Sequence, residues 1–230
     1  MRPVDFTHFT KWTVRLLYLQ IGISVVGVGS GSGILEHSVL TGLNDGTFAS
    51  AEEAVASAEA SDFRQAVVGG IQMLIYLVSG IWILRWIYLA NQNVRELGAA
   101  GMRFSPGWSV GWYFVPIMNL WKPYQAMKEI WQASERPRDW QRTMSPGLLV
   151  AWWTLWLLAS GASRASLRMS LRAEEIDELL AANRVTMLSD ALDIPLAIVF
   201  LFIVKAVHEM QTAPRTPTVT NETPAAEAVA

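Results

Sequence analysis

Residues 104–121 read FSPGWSVGWYFVPIMNLW, eighteen positions without a charge, and whether they cross a bilayer decides the topology of the chain. Hydropathy alone accepts them, since about twenty apolar residues at 1.5 Å rise span the hydrocarbon core. Pro116 interrupts the run, and Asn119-Leu-Trp-Lys-Pro123 ends any continuing helix, because proline lacks an N–H and restricts the residue before it. Trp108, Trp112, Tyr113, Trp121, Tyr124 and Trp131 crowd residues 105–134, with Lys122 and Lys128 between them. Amphipathic rings beside cations suit the boundary between hydrocarbon and headgroups. The stretch is expected to be a Trp/Pro-rich helical segment that re-enters the membrane or lies at its surface.

Working outward, residues 16–35, 66–84 and 143–163 are also free of charge. A buried helix of a soluble protein explains any one of them, but three in 230 residues, with 52% apolar and only 17% charged, point to lipid as the solvent. Spans are expected at about 16–35, 66–90, 145–163 and 190–207, the last with Asp190, Asp193 and Lys205 kept near the headgroups at its ends. If 104–121 does not cross, thirteen Lys and Arg fall on the cytoplasmic side and five outside; if it crosses, the split is ten against eight. The positive-inside rule prefers the first arrangement. The predicted fold is therefore an all-α membrane protein of four transmembrane helices plus the central segment, with both termini cytoplasmic. Residues 1–210 form one membrane domain in this reading, and the Pro/Thr/Ala-rich tail 211–230 is a disordered cytoplasmic extension. The first span is expected to remain uncleaved, because it is long for a signal peptide.

Between the first two spans a polar loop is expected at 36–65, with its Ala/Glu-rich part 51–60 helical. The stretch 164–189 reads as an amphipathic connector, Arg164, Arg168 and Arg172 forming one stripe. Ser105-Pro-Gly-Trp-Ser-Val-Gly-Trp112 is echoed by Ser145-Pro-Gly-Leu-Leu-Val-Ala-Trp152, and both predict a helix with Ser at the N-cap and Pro in its first turn. Gly27/Gly31 and Gly29/Gly33, each four apart, suit close helix packing with Gly69, Gly70 and Gly80 as partners. No lysine follows them as a phosphate loop requires.

A net charge of −2 argues against nucleic-acid binding driven by bulk electrostatics. Cysteine is absent and His8, His37 and His208 are scattered, so no metal or cofactor is expected. Asn119, Trp121, Lys122, Tyr124 and Glu129, with Arg95 upstream, form the candidate ligand-, lipid- or partner-binding set. A helix broken at membrane depth exposes backbone groups that lipid cannot satisfy, so such breaks line cavities or are buried in protein. Asn119 would bind a polar group there and Lys122 an anionic headgroup or substrate. The alternative is a structural surface helix, its lysines snorkelling, with Tyr124, Met127 and Trp131 inward and Gln125, Lys128 and Gln132 outward. Arg85, Asp190 and Asp193 are the candidate intramembrane charges. Arg85 is close enough to a helix end to snorkel, and the aspartates have Arg164 and Arg168 as available partners.

Residues 85–134 resemble a bacterial membrane family known as domain of unknown function 4328. The likeness is carried by Trp86, Asn93, Arg95, Leu97-Gly98, the Ser105–Trp112 motif, Val115-Pro116, Asn119-Leu-Trp-Lys-Pro-Tyr-Gln125 and Glu129-Ile-Trp131. Trp152-Trp153 and Asp190 with Pro195 extend it. The resemblance implies a multi-pass protein of the bacterial cell membrane and supplies no activity. No nucleophile–base pair stands out, so the expected role is non-catalytic: a scaffold, sensor or module binding lipid, an unidentified membrane protein or a second copy of itself. The alternative is a small oligomeric transporter or channel with Asn119, Lys122, Arg85 and Asp193 along its path.

Overall fold

The computed structural model describes residues 6–27 and 32–214. Every element among them is helical: α1 (Thr7–Val25), α2 (Ser32–Asp45), α3 (Ala51–Glu96), α4 (Pro106–Gly111), α5 (Lys122–Glu135), α6 (Gly147–Ser170) and α7 (Ile176–Thr212). Two 3-10 turns, Met118–Leu120 and Pro137–Arg142, flank α5.

Local chemistry sets the helix starts. Ser50 accepts a hydrogen bond from the Glu53 N–H at 3.1 Å, and the Glu53 carboxylate accepts one from the Ala49 N–H at 3.0 Å. This reciprocal capping, with Glu52 and Glu53 complementing the positive end of the dipole, launches α3. The helix then runs unbroken for 46 residues, about 69 Å at 1.5 Å per residue. That is over twice the roughly 30 Å of a hydrocarbon core. Both α3 and the 37-residue α7 are long and apolar enough to cross a membrane. In α3 only 6% of the most apolar window is buried, so Ile71, Leu74, Leu77 and Ile81 point away from the protein. A helix at the centre of a water-soluble domain would bury those side chains.

The helices pack as an antiparallel bundle. α6 and α7 form a hairpin around residues 171–175, while α1 and α2 each lie against α3 and α7. The Phe6 ring meets His208 edge-on at 5.2 Å, and Trp86 Nε1 donates to Thr10 Oγ1 at 3.1 Å. The start of α1 and the ends of α3 and α7 therefore share one end of the bundle. α5 and the start of α6 join them there, and α2, the start of α3 and the α6–α7 turn occupy the opposite end. The core is densest at the first end, around Trp86, Ile130, Leu149, Phe200, Ile203 and Val204. Gln211 closes it: Nε2 donates to Ser134 Oγ at 2.7 Å and to the Ala90 carbonyl at 3.2 Å, and Oε1 accepts from Asn93 at 2.9 Å.

Several expectations change. Within the run 16–35 the described helices are α1, which begins at Thr7, and α2, which begins at Ser32; residues 28–31 lie outside the described residues. Lys11 and Arg15 fit within α1 because both are exposed. Residues 36–65 are mostly helix, the connection shrinking to 46–50. α6 and α7 continue past the expected spans, so 164–189 is the end of a helical hairpin, and Arg172 falls in its turn. Pro195 lies inside α7. The second echo motif also differs from the first: Ser105 Oγ accepts from the Trp108 N–H at 3.3 Å, whereas α6 starts at Gly147 with no side-chain cap. Gln211 is buried and helical, so the tail does not begin there; residues 215–230 lie outside the described residues.

Candidate functional site

The central segment does not form one helix. α4 ends at Gly111, and the chain turns twice before α5. At Ile117 the backbone adopts φ 67° and ψ −52°, and the Met118 N–H donates to the Pro116 carbonyl at 2.7 Å. This is a γ-turn with positive φ, a strained conformation for a β-branched residue. Two tryptophans hold the turn in place. Trp153 Nε1 donates to the Leu120 carbonyl at 2.8 Å, and Trp156, stacked on Trp153 at 4.5 Å, meets the Tyr113 ring at 6.4 Å. Trp156 lies nine residues into α6, about 14 Å along its axis, so the segment folds back into the bundle from the first end. Phe114 and Ile117 remain exposed at the tip.

Of the polar residues expected to act together, Arg95, Lys122 and Glu129 converge on Phe104. Arg95 Nη2 donates to the Phe104 carbonyl at 2.8 Å, Asn91 Nδ2 donates to the same oxygen at 3.2 Å, and Arg95 Nε donates to Asn91 Oδ1 at 3.1 Å. The Glu129 carboxylate accepts from the N–H groups of Arg103 and Phe104 at 3.1 and 3.3 Å. Arg95, Asn91 and Glu129 thus clamp both sides of the Phe104 peptide and fix the loop leading into α4. Lys122 lies over the rings of Phe104 and Trp112 at 5.7 and 5.8 Å, a cation–π arrangement. Tyr124 packs against the core, Trp121 is exposed, and Asn119 is half-buried with its N–H on the Val115 carbonyl. Arg85 is exposed and lies over Tyr88 and Phe9. α5 is not a surface helix. Glu129 and Gln132 are buried with its apolar face, and the Gln132 amide donates to the Thr143 carbonyl.

Burial pushes the Glu129 carboxyl above the ordinary glutamate value, against the pull of its two N–H donors and of Arg103 and Arg95. An acid that holds its proton more tightly folded than unfolded stabilises the fold below its unfolded pKa. That contribution is lost as pH rises through the folded pKa. Stability in detergent is therefore expected to decline as pH climbs above the usual glutamate range, and Glu129→Gln to flatten the slope. Thermal unfolding across that range checks it, and identical slopes would refute the assignment.

A different set of residues converges on a cleft of about 440 Å³ between α1, α3, α6 and α7. Asp193, Tyr76 and Ser189 line it toward the second end, and Trp152, Trp156 and Phe200 toward the first. Tyr113 and Phe114 of the folded-back segment also line it. Tyr76 Oη donates to Asp193 Oδ2 at 2.6 Å and is within 3.3 Å of Ser24 Oγ. Asp190 lies one turn before Asp193. A Cβ added to Gly27 would fall 3.0 Å from both Asp190 Oδ2 and Gln72 Nε2, so α1 approaches α3 and α7 closely there. The packing role expected of Gly27 is realised, but against polar side chains; Gly69, Gly70 and Gly80 have nothing within 4 Å of such a Cβ. Gly29 and Gly31 lie outside the described residues. The expected pairing of the aspartates with Arg164 or Arg168 does not occur: both arginines are exposed, and the one ion pair among the described residues is Arg142–Asp139.

Sequence reasoning alone misses Tyr76. Its signal is a pair of polar positions four apart, Gln72 and Tyr76, within an otherwise apolar helix. Asp190 and Asp193 are three apart in another, and each pair shares one helix face.

These features define a class: an all-helical chain with two helices able to cross a membrane and an aromatic segment folded back into the bundle. The chain belongs to the family described as domain of unknown function 4328, whose model matches residues 50–209, more than half of its length. No curated protein and no solved structure matches it.

Proposed function

We propose that the chain is a four-pass integral protein of the bacterial cell membrane, with both termini cytoplasmic, acting as a non-catalytic recognition module. α1, α3, α6 and α7 are the four spans, and the bilayer is the first partner. The first-end location of residue 6 and of the end of α7 supports this threading, as does the basic excess of the connecting segments at that end. The aromatic segment anchors at the cytoplasmic headgroups and floors the cleft. The observation that carries the reading is that cleft, walled by apolar side chains and reached by the intramembrane carboxylate of Asp193. Such a pocket suits a ligand or partner segment that arrives through the membrane.

Single cysteines test the threading cleanly, because the native chain has none. An impermeant maleimide applied to intact spheroplasts is expected to label Asn44→Cys and Arg184→Cys. Arg136→Cys should react only after permeabilisation. Labelling of positions 44 and 136 from the same face overturns the proposal. A photo-crosslinker at Phe114, which is exposed and lines the cleft, is expected to capture one specific lipid or protein, whereas diffuse labelling counts against recognition.

The second reading, a small oligomeric transporter or channel, draws support from Asp193 on the cleft wall. Asn119, Lys122 and Arg85, the other residues assigned to its path, do not line the cleft, and this reading ranks below the first.

A further inference from the structure

The cleft is graded along its length. Asp193 and Phe200 are seven residues apart on α7, which sets the acidic and aromatic ends about 10 Å apart. The carboxylate accepts the Tyr76 hydroxyl through Oδ2, and an ionised carboxylate has lone pairs for about four hydrogen bonds. Acceptor capacity is therefore left for a ligand. Asp190, one turn before it, does not line the cleft and faces Gln72 and Gly27 instead. No basic side chain among the described residues lies within ion-pair distance of either. A cleft carboxylate at membrane depth without a protein counter-charge favours an incoming cation.

The surroundings select the kind of cation. A calcium-like ion wants six to eight oxygen ligands, and no group of three acidic or histidine side chains gathers among the described residues. An organic cation needs one carboxylate for its head and apolar walls for its body. Trp152 stacked on Phe200 at 5.4 Å, with Trp156 beside them, supplies such walls. Aromatic faces also attract ammonium groups. A site of this volume lies within the range of small-molecule pockets.

We infer that the cleft binds an amphipathic organic cation, an amine or quaternary ammonium head on an apolar body, with Asp193 holding the head and Trp156 and Phe200 the body. The inference rests on the four-pass reading, since the ligand enters from the bilayer.

Full-length protein in nanodiscs of phosphatidylcholine provides the test, using equilibrium dialysis of radiolabelled phenylhexyltrimethylammonium and subtracting uptake by empty discs. Its apolar body matches the distance from Asp193 to Phe200. The expected result is saturable binding of one cation per chain, with no saturable binding of phenylhexylsulfonate and at least tenfold weaker binding of phenylhexanol. Asp193→Asn is expected to weaken the cation at least tenfold. Trp156→Leu, which leaves the acid in place, is expected to weaken both the cation and the alcohol severalfold, and it carries the test if Asp193→Asn does not fold. Tyr76→Phe, which frees a lone pair of Asp193, should retain binding. Equal affinity for the three probes, absence of saturable cation uptake, or insensitivity to both Asp193→Asn and Trp156→Leu overturns the inference. Cysteine labelling of the same protein separates the failures: a chain that spans as proposed but binds no cation sinks this inference alone.

Discussion

Replacing Trp86 with alanine is expected to be the most damaging single truncation in the bundle, costing about 3–5 kcal/mol. The side chain is completely buried, packs edge-on against Phe200 at 6.1 Å and donates to Thr10. Its removal opens a cavity where α1, α3 and α7 meet and leaves the Thr10 hydroxyl with His208 as its remaining side-chain partner. Total stabilities of small domains are about 5–15 kcal/mol, so such a loss takes a large fraction of the whole. Trp86→Phe keeps most of the packing and loses the hydrogen bond, a change of about 1 kcal/mol. Reversible unfolding in mixed micelles, followed by circular dichroism, separates the two variants. An alanine variant within about 1 kcal/mol of the parent would contradict the assigned core.

Trp153→Ala should have a comparable total cost, about 3–5 kcal/mol, but a different distribution. Trp153 is the donor that satisfies the Leu120 carbonyl and is the stacking partner of Trp156. Without it the folded-back segment loses its main tie to α6. Hydrogen exchange and protease cutting within residues 113–121 are expected to rise well before the bundle unfolds. Trp153→Phe keeps a ring against Trp156 and leaves the carbonyl unpaired, costing about 1–3 kcal/mol. If residues 113–121 stay as protected in Trp153→Ala as in the parent, Trp153 is not their tether.

Much of the helix content was legible because charge-free runs mark it directly. Residues 66–84 and 143–163 fall largely within α3 and α6, and the Ala/Glu-rich stretch 51–60, expected to be helical, opens α3. The broken character of 104–121 followed from Pro116 together with the Asn119–Pro123 stretch. Helix ends were harder, because exposed charges such as Arg164 and Arg168 interrupt a hydropathy run without interrupting a helix. The site was least legible. Tyr76 and Asp193 are 117 positions apart, and only tertiary packing brings them together. Glu129 and Arg95 looked like ligand-binding groups because they are polar and clustered. Their partners are the backbone N–H and carbonyl groups around Phe104, which have no side-chain signature to read.

The γ-turn at Ile117 has a practical consequence. A left-handed backbone at a branched residue opposes its own local preference by about 1–3 kcal/mol, and in this chain the opposition is met by contacts supplied from another helix. A synthetic peptide copying residues 113–121 would therefore relax to other shapes in solution. Antibodies raised against it, or competitors patterned on it, should fail to match the native tip, and any reagent aimed at that tip needs the intact protein as its template.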